Sequence, residues 1–582
     1  MNIISENSEI ASIFNSYFST IADDIGVPDN ICDNDTVESI VERHINHPSI
    51  LEIKSRNKEC DSFYFKPVTH DEVLQQMSKV NIKKATGHDN LPPKIIKLCA
   101  PQLSPYFTCL LNRCIDQGVF PKDMKKADIV PVFKKNDKLL KKNYRPVSVL
   151  TTLSKIFEQL LTSQLKDFFE NLFDNMLSAY RKGFSCQNVL TKLLETWRQG
   201  LDNRQCIGSV MMDLSRAFDC MPRSLLISKL SAYGVSKSSC QLLISYLSNR
   251  SQRVKVGNSK SGWEFTTKGF PQGSGFGPLL FNIFSNDLFY IIKTCSLFNY
   301  ADDNTITVAN EHPDKVISSL VEDSNLAITW FTNNYMQANP DKFQLLLLKP
   351  GRSENTLPQE IFITDVAIQR CSDVKLLGVR IDDQLTFDKH IKTICLKASR
   401  QLNALIRIQS YMNHKQRNAI YESFILANFN FCPIVWHYCS NKNSQKMEMI
   451  QKRALRFLLN DSKSSYDELL NKAGRPTLKL SRMRYIAIEV FKCLNGLNPK
   501  YMSDLFQYKE SHYDLRSDYL TLPKFRTQKY GRKSFVYNGS HIWNSLPRSI
   551  KAAKCLSNFK NLIKEWTGPN CTCDMCRINN YC

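Results

Sequence analysis

Long apolar runs are missing from this chain of 582 residues. No segment approaches the ~20 consecutive apolar residues that a membrane-spanning helix needs, so we expect no membrane partner. Residues 1–6 lack the basic and apolar segments of a secretory signal peptide. No period of repeated sequence is evident, which argues against a solenoid. The sequence therefore predicts a globular protein whose length allows roughly three or four domains.

Acidic side chains are scarce relative to basic ones. The 77 Lys and Arg residues outnumber the 55 Asp and Glu residues and give a net charge of +22. Such an excess favours an anionic partner, above all nucleic acid; a basic surface without a specific ligand is the alternative. The 20 cysteines are spread over a long chain and do not form a short disulfide framework. We therefore expect mostly reduced, buried thiols in an intracellular protein.

Two adjacent carboxylates, Asp302 and Asp303, lie between the β-prone runs 296–298 and 305–308. Two strands that meet at a tight turn would place both side chains at the turn of a hairpin. Adjacent anions repel each other, and a bound divalent cation such as Mg²⁺ removes the cost of ionising both. Taken alone, the pair is explained better by a solvated turn.

A third carboxylate favours the metal site. Asp213 follows an apolar run from Cys206 to Met212 that predicts a buried strand. Roughly ninety residues separate Asp213 from Asp302, enough chain to bring two strands side by side in one sheet. Three carboxylates held together can carry two metal ions, which at a separation of about 4 Å clamp the attacking and leaving oxygens of a phosphoryl transfer.

Six motifs follow one another along the chain, and each alone is a weak signal. The motifs are residues 143–148 (Asn-Tyr-Arg-Pro-Val-Ser), Asp213 with residues 217–219 (Ala-Phe-Asp), residues 269–274 followed by 277–281, residues 300–303 (Tyr-Ala-Asp-Asp), the set Trp330, Asn334, Asn339 and Lys342, and residues 377–382. In this order they resemble the motifs of reverse transcriptases from non-LTR retrotransposons of the jockey-like kind.

The resemblance covers roughly residues 10–566 and implies an α+β right-hand polymerase with fingers, a palm and a helical thumb, followed by a mainly helical C-terminal region. We expect an N-terminal linker segment at 1–65, a fingers extension at 66–112, fingers and palm at 113–382, a thumb at 383–470, the helical region at 471–566 and a Cys-rich tail at 567–582. The implied activity is RNA-directed DNA polymerisation, in which a nucleotidyltransferase adds deoxynucleotides to the 3′-hydroxyl of a DNA primer on an RNA template. The implied setting is target-primed copying of an element transcript.

The resemblance also assigns residue roles. Asp213, Asp302 and Asp303 would hold two Mg²⁺ ions, with Mn²⁺ as a possible substitute and the backbone of Leu214 as a further ligand. Lys342 would protonate the leaving pyrophosphate, although a surface lysine explains it nearly as well. The nucleotide would meet a second set of side chains and backbone: Lys126, Lys134, Arg145, Phe218, Gln272 and Gly273. For any one of these lysines, a solvated charge run is an equal alternative.

Phe218 and the pair Gly275-Phe276 bear on specificity and activity. Phe218 matches the steric gate of the family, where a large ring clashes with a 2′-hydroxyl and selects deoxynucleotides; a core position is the alternative. Asp219 is expected to be structural and not a metal ligand. Relatives usually show a small aliphatic residue and then Leu at positions 275 and 276. Because a helix is predicted over 276–288, we expect the glycine to loosen its start by up to ~1 kcal/mol.

The remaining pattern predicts further elements. Helical spacing over residues 10–21 predicts a short helix, and the rest of 1–65 is predicted to be irregular. Thr69 with Glu72 predicts a helix N-cap, and residues 127–133 predict a strand leading to a basic hairpin tip. The local pattern of residues 376–382 predicts a strand, and residues 377–382 resemble the primer-grip hairpin of the family. Residues 391–566 are predicted to be mainly helical.

The tail carries Cys571, Cys573, Cys576 and Cys582, which together could bind one structural zinc ion. A flexible reduced tail is the preferred alternative, because the Cys-x-Cys spacing is unusual for zinc. No carboxylate set beyond the palm suggests an RNase H. No endonuclease precedes the polymerase motifs, so the sequence is expected to come from a truncated copy, a truncated gene model or an element without its nuclease.

Two rival functions fit the same motifs. The first is an inactive retroelement relic that only binds nucleic acid, which the intact carboxylates argue against. The second is a cellular reverse transcriptase of the telomerase-like or maturase-like kind, which would retain a dedicated RNA. For the favoured function we expect synthesis in the nucleus and ribonucleoprotein assembly in the cytoplasm, with RNA template, DNA primer or target and deoxynucleoside triphosphates as partners; the oligomeric state is not predicted.

Overall fold

The structure is a computed structural model that describes residues 4–20, 31, 35–57, 62–215, 217–351, 357–509 and 519–569. Its backbone contacts divide the chain into two discontinuous units. Unit 1 comprises Met1–Tyr180, Asp213–Lys293 and Asn325–Asn339, and unit 2 comprises Arg181–Met212, Thr294–Ser324 and Pro340–Cys582. The predicted domain boundaries stay a prediction.

Helices and strands are mixed along the chain, which confirms the α+β class at this level. The helices are α1 Asn7–Ser19, α2 Val37–Arg43, α3 Pro48–Arg56, α4 His70–Ser78, α5 Pro93–Leu98, α6 Ala100–Gln117, α7 Thr152–Phe169, α8 Cys186–Asp202, α9 Ala217–Cys220, α10 Arg223–Ala232, α11 Lys237–Leu247, α12 Gly277–Ser285, α13 Leu288–Ile291, α14 Pro313–Asn333, α15 Asp388–Ile406, α16 His414–Ile420, α17 Ala427–Asn430, α18 Asn441–Leu459, α19 Tyr466–Ala473, α20 Leu478–Leu494, α21 Lys500–Ser503, α22 Phe535–Ser545, α23 Arg548–Lys551 and α24 Leu556–Leu562. The strands are β1 Lys126–Phe133, β2 Tyr144–Val149, β3 Cys206–Ser215, β4 Arg250–Val256, β5 Ser259–Lys260, β6 Glu264–Thr266, β7 Ser296–Tyr300, β8 Asp303–Asn310, β9 Gln337–Ala338, β10 Gln344–Leu348, β11 Glu360–Ile363, β12 Val366–Gln369, β13 Asp373–Leu376 and β14 Val379–Asp382.

The main sheet of unit 1 has the strand order β2-β1-β4-β5, and β6 also pairs with β4. Strand β1 is antiparallel to β2, with Val130 opposite Val147, and parallel to β4, with Asp128 opposite Arg253. Helix α1 packs against β4, β5 and β6. Apolar residues of α1 and of the sheet share one buried cluster: Ala11, Phe18, Ala127, Ile129, Leu150, Cys220 and Val254. The predicted N-terminal helix and the predicted strand at 127–133 are confirmed.

Two helices correct the prediction that residues 1–65 are irregular after the first helix. A capping box of Thr36 and Ser39 begins α2, and Pro48 begins α3. Both helices pack against α10 and bury Ile40 and Ile53 completely. Each is shorter than ten residues, so apolar spacing gives little helical signal, and packing supplies the stability that a short helix lacks.

The sheet of unit 2 has the strand order β10-β3-β8-β7. Strand β3 is antiparallel to β10, and β7 is antiparallel to β8. Neighbouring residues of a strand face opposite sides of a sheet. The Gly208 side of β3 lies close to Leu320 of α14, and the Ile207 side lies close to Gly200 of α8. The sheet is thus covered by a helix on each face, which is why β3 reads as a continuous apolar run.

The C-terminal helices of unit 2 dock along α8. The Asn188 amide donates to a carboxylate oxygen of Glu489 at 2.8 Å, and the Glu195 carboxylate accepts the Phe535 backbone N–H at 2.6 Å. The Asp202 carboxylate accepts the backbone N–H of Thr527 at 2.7 Å. The three α8 residues are seven apart and lie on one helix face. The region predicted to be mainly helical is helical over most of its described residues, and it braces the helix that leads into β3.

Two local predictions need correction. The local pattern predicted one strand over 376–382, whereas the structure has a hairpin, as the resemblance over 377–382 implied: Leu377 and Gly378 have φ of 45° and 85° and form a two-residue turn between β13 and β14. Positive φ at both positions suits the tight turn of a right-handed hairpin. The helix expected over 276–288 begins at Gly277 and ends at Ser285. Gly275 therefore lies outside the helix, and the expected helix-propensity cost does not arise.

Two compositional expectations can be compared with the structure. None of the helices in the part of the chain that is described is both long and apolar enough to cross a membrane. The described cysteines are free thiols and include the buried Cys206, Cys220 and Cys240. The zinc prediction for residues 571–582 falls outside the described residues.

Candidate active site

The Asp302-Asp303 pair lies at the tip of the β7–β8 hairpin. Tyr300 pairs with Asp303 across the two strands, so Ala301 and Asp302 form the turn. Ala301 has φ of 58°, a left-handed conformation that is uncommon outside glycine. The predicted hairpin is confirmed, and both carboxylates are half-buried.

Neutral amides hold this turn. The Asn299 side chain is 2% exposed and donates to the Ala301 carbonyl at 2.8 Å and to the Asn304 side-chain oxygen at 2.9 Å. The Asn304 amide in turn donates to the Asp302 carbonyl at 3.3 Å. Buried side-chain amides that bond the turn backbone fix its shape.

Asp213 lies near the C-terminal end of β3, as predicted. The strand is buried through Met212, and the Asp213 side chain is half-buried. The next residue, Leu214, pairs with Ala338 of β9. Residues 206–212 of β3 lie in the sheet of unit 2, and Asp213 directly follows them along the chain.

The fit of these residues to a metal rests on their donor chemistry. Among the described residues, no three His, Cys, Asp or Glu side chains are grouped so that they could hold a metal ion by themselves. Magnesium is usually bound by one or two carboxylates together with water and substrate phosphates, and not by an all-protein cage. The adjacent Asp302 and Asp303 carboxylates at the turn fit that pattern. In the described part of the chain, no group of side chains is suited to bind zinc.

The segment Gly269–Ser274 forms a loop between β6 and α12, hereafter the glycine loop. Gly269 and Gly273 have φ of 64° and 125°. A Cβ atom at Gly273 would lie 2.6 Å from the Ser148 carbonyl oxygen, and one at Gly269 would lie 2.5 Å from the Asp219 carbonyl oxygen. Only glycine fits either position, because both the backbone angle and the close approach exclude a side chain.

The glycine loop contacts the segment that follows β3. The Phe270 backbone N–H donates to the Phe218 carbonyl at 3.2 Å, and the Gln272 amide donates to the Asp219 carboxylate at 2.7 Å. The Phe218 ring is half-buried and stacks on Phe281 with 4.3 Å between ring centroids. Asp219 is therefore engaged in a protein contact, in keeping with its predicted structural role. The roles of Phe218 and Gln272 toward a nucleotide stay predictions.

The predicted phosphate-binding cations differ in their surroundings. Lys134 and Arg145 are exposed at the β1–β2 hairpin, where the Lys134 backbone N–H donates to the Asn143 carbonyl at 2.9 Å. Lys126 pairs with the exposed Asp123 carboxylate at 3.0 Å. The structure thus brings Lys134 and Arg145 together on one hairpin and sets Lys126 at the far end of β1. Lys342 is exposed and ends a short 3₁₀ helix, Pro340–Lys342.

Three buried polar residues around the glycine loop were missed by the sequence reasoning: Glu158, Arg223 and Tyr246. Glu158 lies on α7 and is completely buried. Glu158 could have been identified from the sequence, because it lies among the apolar residues Phe157, Leu160 and Leu161. A charge on the apolar face of a helix needs a buried partner. Burial raises the pKa of the Glu158 carboxyl, and the nearby Arg250 opposes that shift.

Comparison with known proteins identifies the relatives of this chain. A family model described as reverse transcriptase (RNA-dependent DNA polymerase) matches residues 132–381. The chain is 27% identical over 419 residues to the probable RNA-directed DNA polymerase from transposon BS of Drosophila melanogaster, covering 68% of this chain and 45% of the relative. It is 25% identical over 411 residues to the RNA-directed DNA polymerase from mobile element jockey of Drosophila funebris, covering 67% and 44%.

A more distant relative extends the same pattern. The Pol polyprotein from the type-1 retrotransposable element R1 of Bradysia coprophila is 23% identical over 443 residues, covering 74% of this chain and 41% of the relative. The chain spans less than half the length of these curated relatives. The matched family segment includes Asp213, the glycine loop and the Asp302-Asp303 turn.

Proposed function

We propose, from the premise that this chain carries a reverse transcriptase domain over residues 132–381, that it is an RNA-directed DNA polymerase of a jockey-like non-LTR retrotransposon. The observation that carries the proposal is the β7–β8 hairpin, which presents Asp302 and Asp303 at its turn within the segment that the reverse transcriptase family model matches. The substrates are an RNA template, a DNA primer and deoxynucleoside triphosphates. Copying is primed at the DNA target in the nucleus, after assembly with the transcript in the cytoplasm.

The proposed architecture follows the right-hand plan. The sheet of unit 1 with the β1–β2 hairpin supplies the fingers, the β10-β3-β8-β7 sheet is the core of the palm, and α15 to α18 supply the thumb. Lys134 and Arg145 at the hairpin tip meet the triphosphate, and the planar guanidinium of Arg145 donates two bonds to one phosphate. Lys126, which pairs with Asp123, plays a lesser part.

The proposed chemistry is attack of the primer 3′-hydroxyl on the α-phosphate of the nucleotide. Asp213, Asp302 and Asp303 offer the oxygen ligands for two divalent cations, with the Leu214 carbonyl as a further ligand. When bound, two such ions activate the attacking hydroxyl and neutralise the triphosphate. Lys342 donates a proton to the leaving pyrophosphate, a role that typically contributes roughly 10²–10⁴-fold to the rate.

The selection of deoxynucleotides is assigned to Phe218. Its ring stacks on Phe281, which fixes the plane of the ring. A fixed ring beneath the sugar excludes a 2′-hydroxyl by steric clash. Gln272 and Gly273 present amide and backbone groups to the nucleotide and template from the glycine loop.

Primer extension tests the proposal. Purified protein is mixed with a primed RNA template, deoxynucleotides and Mg²⁺, and compared with Asp302→Ala. The matched control is Asp365→Ala, because Asp365 is an exposed aspartate at the turn of another hairpin, β11–β12. We expect extension by the wild type and by D365A and none by D302A. Intact RNA binding without extension in the wild type would refute the polymerase and favour the relic, and tight retention of one dedicated RNA would favour a telomerase-like or maturase-like enzyme.

A further inference from the structure

Both ends of the glycine loop are attached to buried charged side chains. At the start of the loop, Arg223 is 3% exposed, and its guanidinium donates to the Lys268 and Gly269 carbonyls, each at 3.0 Å. The same guanidinium donates to the carbonyls of Thr266 at 2.7 Å and Leu247 at 2.8 Å. One arginine therefore ties the approach to the loop to the end of α11.

At the far end of the loop, Glu158 of α7 performs the matching role. One carboxylate oxygen accepts the Ser274 hydroxyl and the Gly275 backbone N–H, both at 2.9 Å. The other oxygen accepts the Tyr246 hydroxyl at 3.2 Å. Ser274 is buried, whereas Gly273 and Gly275 on either side of it are exposed. Ser274 is thus the anchored point between two exposed glycines.

The Ser274 hydroxyl also forms hydrogen bonds with the start of the next helix, α12. It accepts the backbone N–H groups of Phe276 at 3.0 Å and Gly277 at 3.2 Å, where α12 begins. Helix starts leave N–H groups without helical partners, and a serine side chain commonly satisfies them. Glu158, Ser274 and the first turn of α12 therefore form one continuous set of hydrogen bonds.

The charges are expensive to bury, which argues that they have a role beyond stability. Burial lowers the pKa of Arg223 to about 9 and raises the pKa of Glu158. Arg250 is an opposite charge that lowers the pKa of Glu158; it is 2% exposed and stacks over the Tyr246 ring at 4.8 Å. Well-packed apolar residues often stabilise a core as much as buried ions do. What ions provide in addition is directional bonding to a backbone that must keep one shape.

We propose that Glu158 and Arg223 are positioning residues of the polymerase, which clamp the two ends of the glycine loop so that Gln272 and Gly273 are held in one shape for the nucleotide and template. The inference rests on the proposed function of this loop. A glycine-rich loop loses much conformational freedom when it is ordered. A loop that is already ordered before the substrate arrives spares that cost at binding.

The experiment uses two variants that loosen the far end to different degrees. Glu158→Gln keeps the side-chain shape but removes the charged acceptor, and Ser274→Ala removes one hydroxyl and leaves Glu158 bonded to Gly275. The matched controls are Glu311→Gln and Ser163→Ala, whose parent side chains are exposed. Hydrogen exchange is measured on peptides covering residues 268–277, and kcat and KM for the deoxynucleotide are measured by primer extension. Arg223→Lys, which cannot donate the planar fork, probes the start of the loop.

The clamp predicts faster exchange of the loop amides in E158Q, S274A and R223K, and unchanged exchange in both controls. It also predicts a rise in KM of about 10-fold, corresponding to the loss of roughly 1.4 kcal/mol, with a smaller change in kcat. A merely structural role would lower the fraction of folded enzyme and leave KM unchanged. If E158Q does not fold, S274A still gives the comparison.

The outcomes separate the clamp from the polymerase. Extension by the wild type, with exchange and KM unchanged in E158Q and S274A, overturns the clamp and leaves the polymerase in place. Absence of extension by the wild type overturns the proposed function. In that case faster exchange in the variants supports the clamp as a property of the fold, and unchanged exchange overturns it.

Discussion

The glycine loop and the Asp302-Asp303 turn carry the proposed chemistry, and they are held in opposite ways. The turn is fixed by neighbours within five residues, through the neutral amides of Asn299 and Asn304. The loop is fixed by charged side chains from α7 and α10, and the Glu158–Ser274 bond joins residues 116 positions apart. Local structure shapes the first segment, and tertiary structure shapes the second.

The two segments are therefore sensitive to different kinds of change. A turn held by its own strands keeps its shape while the hairpin persists, so only changes at the turn should disturb it. A loop held from two other helices depends on the packing of those helices and on the ionisation of buried groups.

The largest effect is expected at Gly273. Gly273→Ala places a Cβ atom 2.6 Å from the Ser148 carbonyl oxygen at a φ of 125°, so the loop backbone must move. We expect primer extension to fall by about 100-fold, since misplacement of a binding group by about 1 Å can cost that much. Gly262→Ala is the matched control, because a Cβ atom there meets nothing within 4 Å. Equal activity of the two variants would show that the loop shape does not matter.

The next effect concerns selectivity at Phe218, whose backbone bonds to the loop and whose ring stacks on Phe281. Phe218→Ala keeps the backbone contact and removes the ring. We expect the preference for deoxynucleotides over ribonucleotides to fall by about 10–200-fold, the range of discrimination that a steric pocket supplies. The kcat/KM ratio for matched nucleotides measures it, with Phe265→Ala, an exposed phenylalanine of β6, as the control. An unchanged ratio would assign Phe218 to the core alone.

A smaller effect is expected at Ala301 in the turn. Its φ of 58° disfavours β-branched side chains, so Ala301→Val should strain the turn by roughly 1–2 kcal/mol and lower extension by about 10-fold. Ala301→Gly removes the strain and should stay close to wild type. Both variants are assayed by primer extension beside circular dichroism. A valine variant as active as the glycine variant would contradict the importance of the left-handed turn.

The smallest effect is a pH dependence of the loop through Glu158, whereas the Asn299 and Asn304 amides that hold the turn do not titrate. The raised pKa of Glu158 means that, above its ordinary value of 4.5, the folded protein binds more protons than the unfolded chain. The stabilising contribution is therefore fully present below pH 4.5 and is lost as pH rises through the folded pKa. Arg250, Tyr246 and Lys155 are the charged or titratable neighbours that modulate it.

Urea denaturation at a series of pH values checks this expectation. The free energy of unfolding of the wild type should decline relative to that of Glu158→Gln as pH rises above 4.5. Asn299→Ala removes a side-chain amide that holds the turn and does not titrate. It should therefore lower the free energy of unfolding by the same amount at every pH. A wild type and an E158Q variant with parallel pH profiles would contradict the raised pKa.

The same contrast between local and distant interactions separates the parts of the structure that the sequence predicted from those that it did not. The β7–β8 hairpin, the β3 strand and the Thr69 cap, where the Thr69 hydroxyl accepts the Glu72 N–H at 3.3 Å, depend on neighbouring residues and were predictable from spacing and turn chemistry. The Leu377-Gly378 turn was implied only by the family resemblance, because a leucine with φ of 45° gives no turn signal in the local sequence pattern. The spacing of apolar residues along the sequence can indicate that a segment is buried or extended, but not which distant segment it contacts.

The contacts of Glu158, Arg223 and α8 could not be predicted from the spacing of residues in the sequence. Glu158 was passed over inside an apolar helical stripe because its partners, Ser274 and Gly275, lie more than one hundred residues away along the chain. The seven-residue spacing of Asn188, Glu195 and Asp202 predicts one helix face, but their partners in the C-terminal region are set by the tertiary fold. Such contacts require the folded coordinates.

The most direct test of the central claim asks whether Asp213 and Asp302 belong to one metal site. Primer extension is measured for Asp213→Asn, Asp302→Asn, the double variant and Asp365→Asn as control, over a range of Mg²⁺ concentrations. Residues that act as one unit lose activity non-additively. We predict that each single variant falls to the same residual rate, that the double variant is no slower, and that D365N matches the wild type. Near-normal extension by D213N, or a double variant slower than either single by the product of their separate losses, would contradict a shared site.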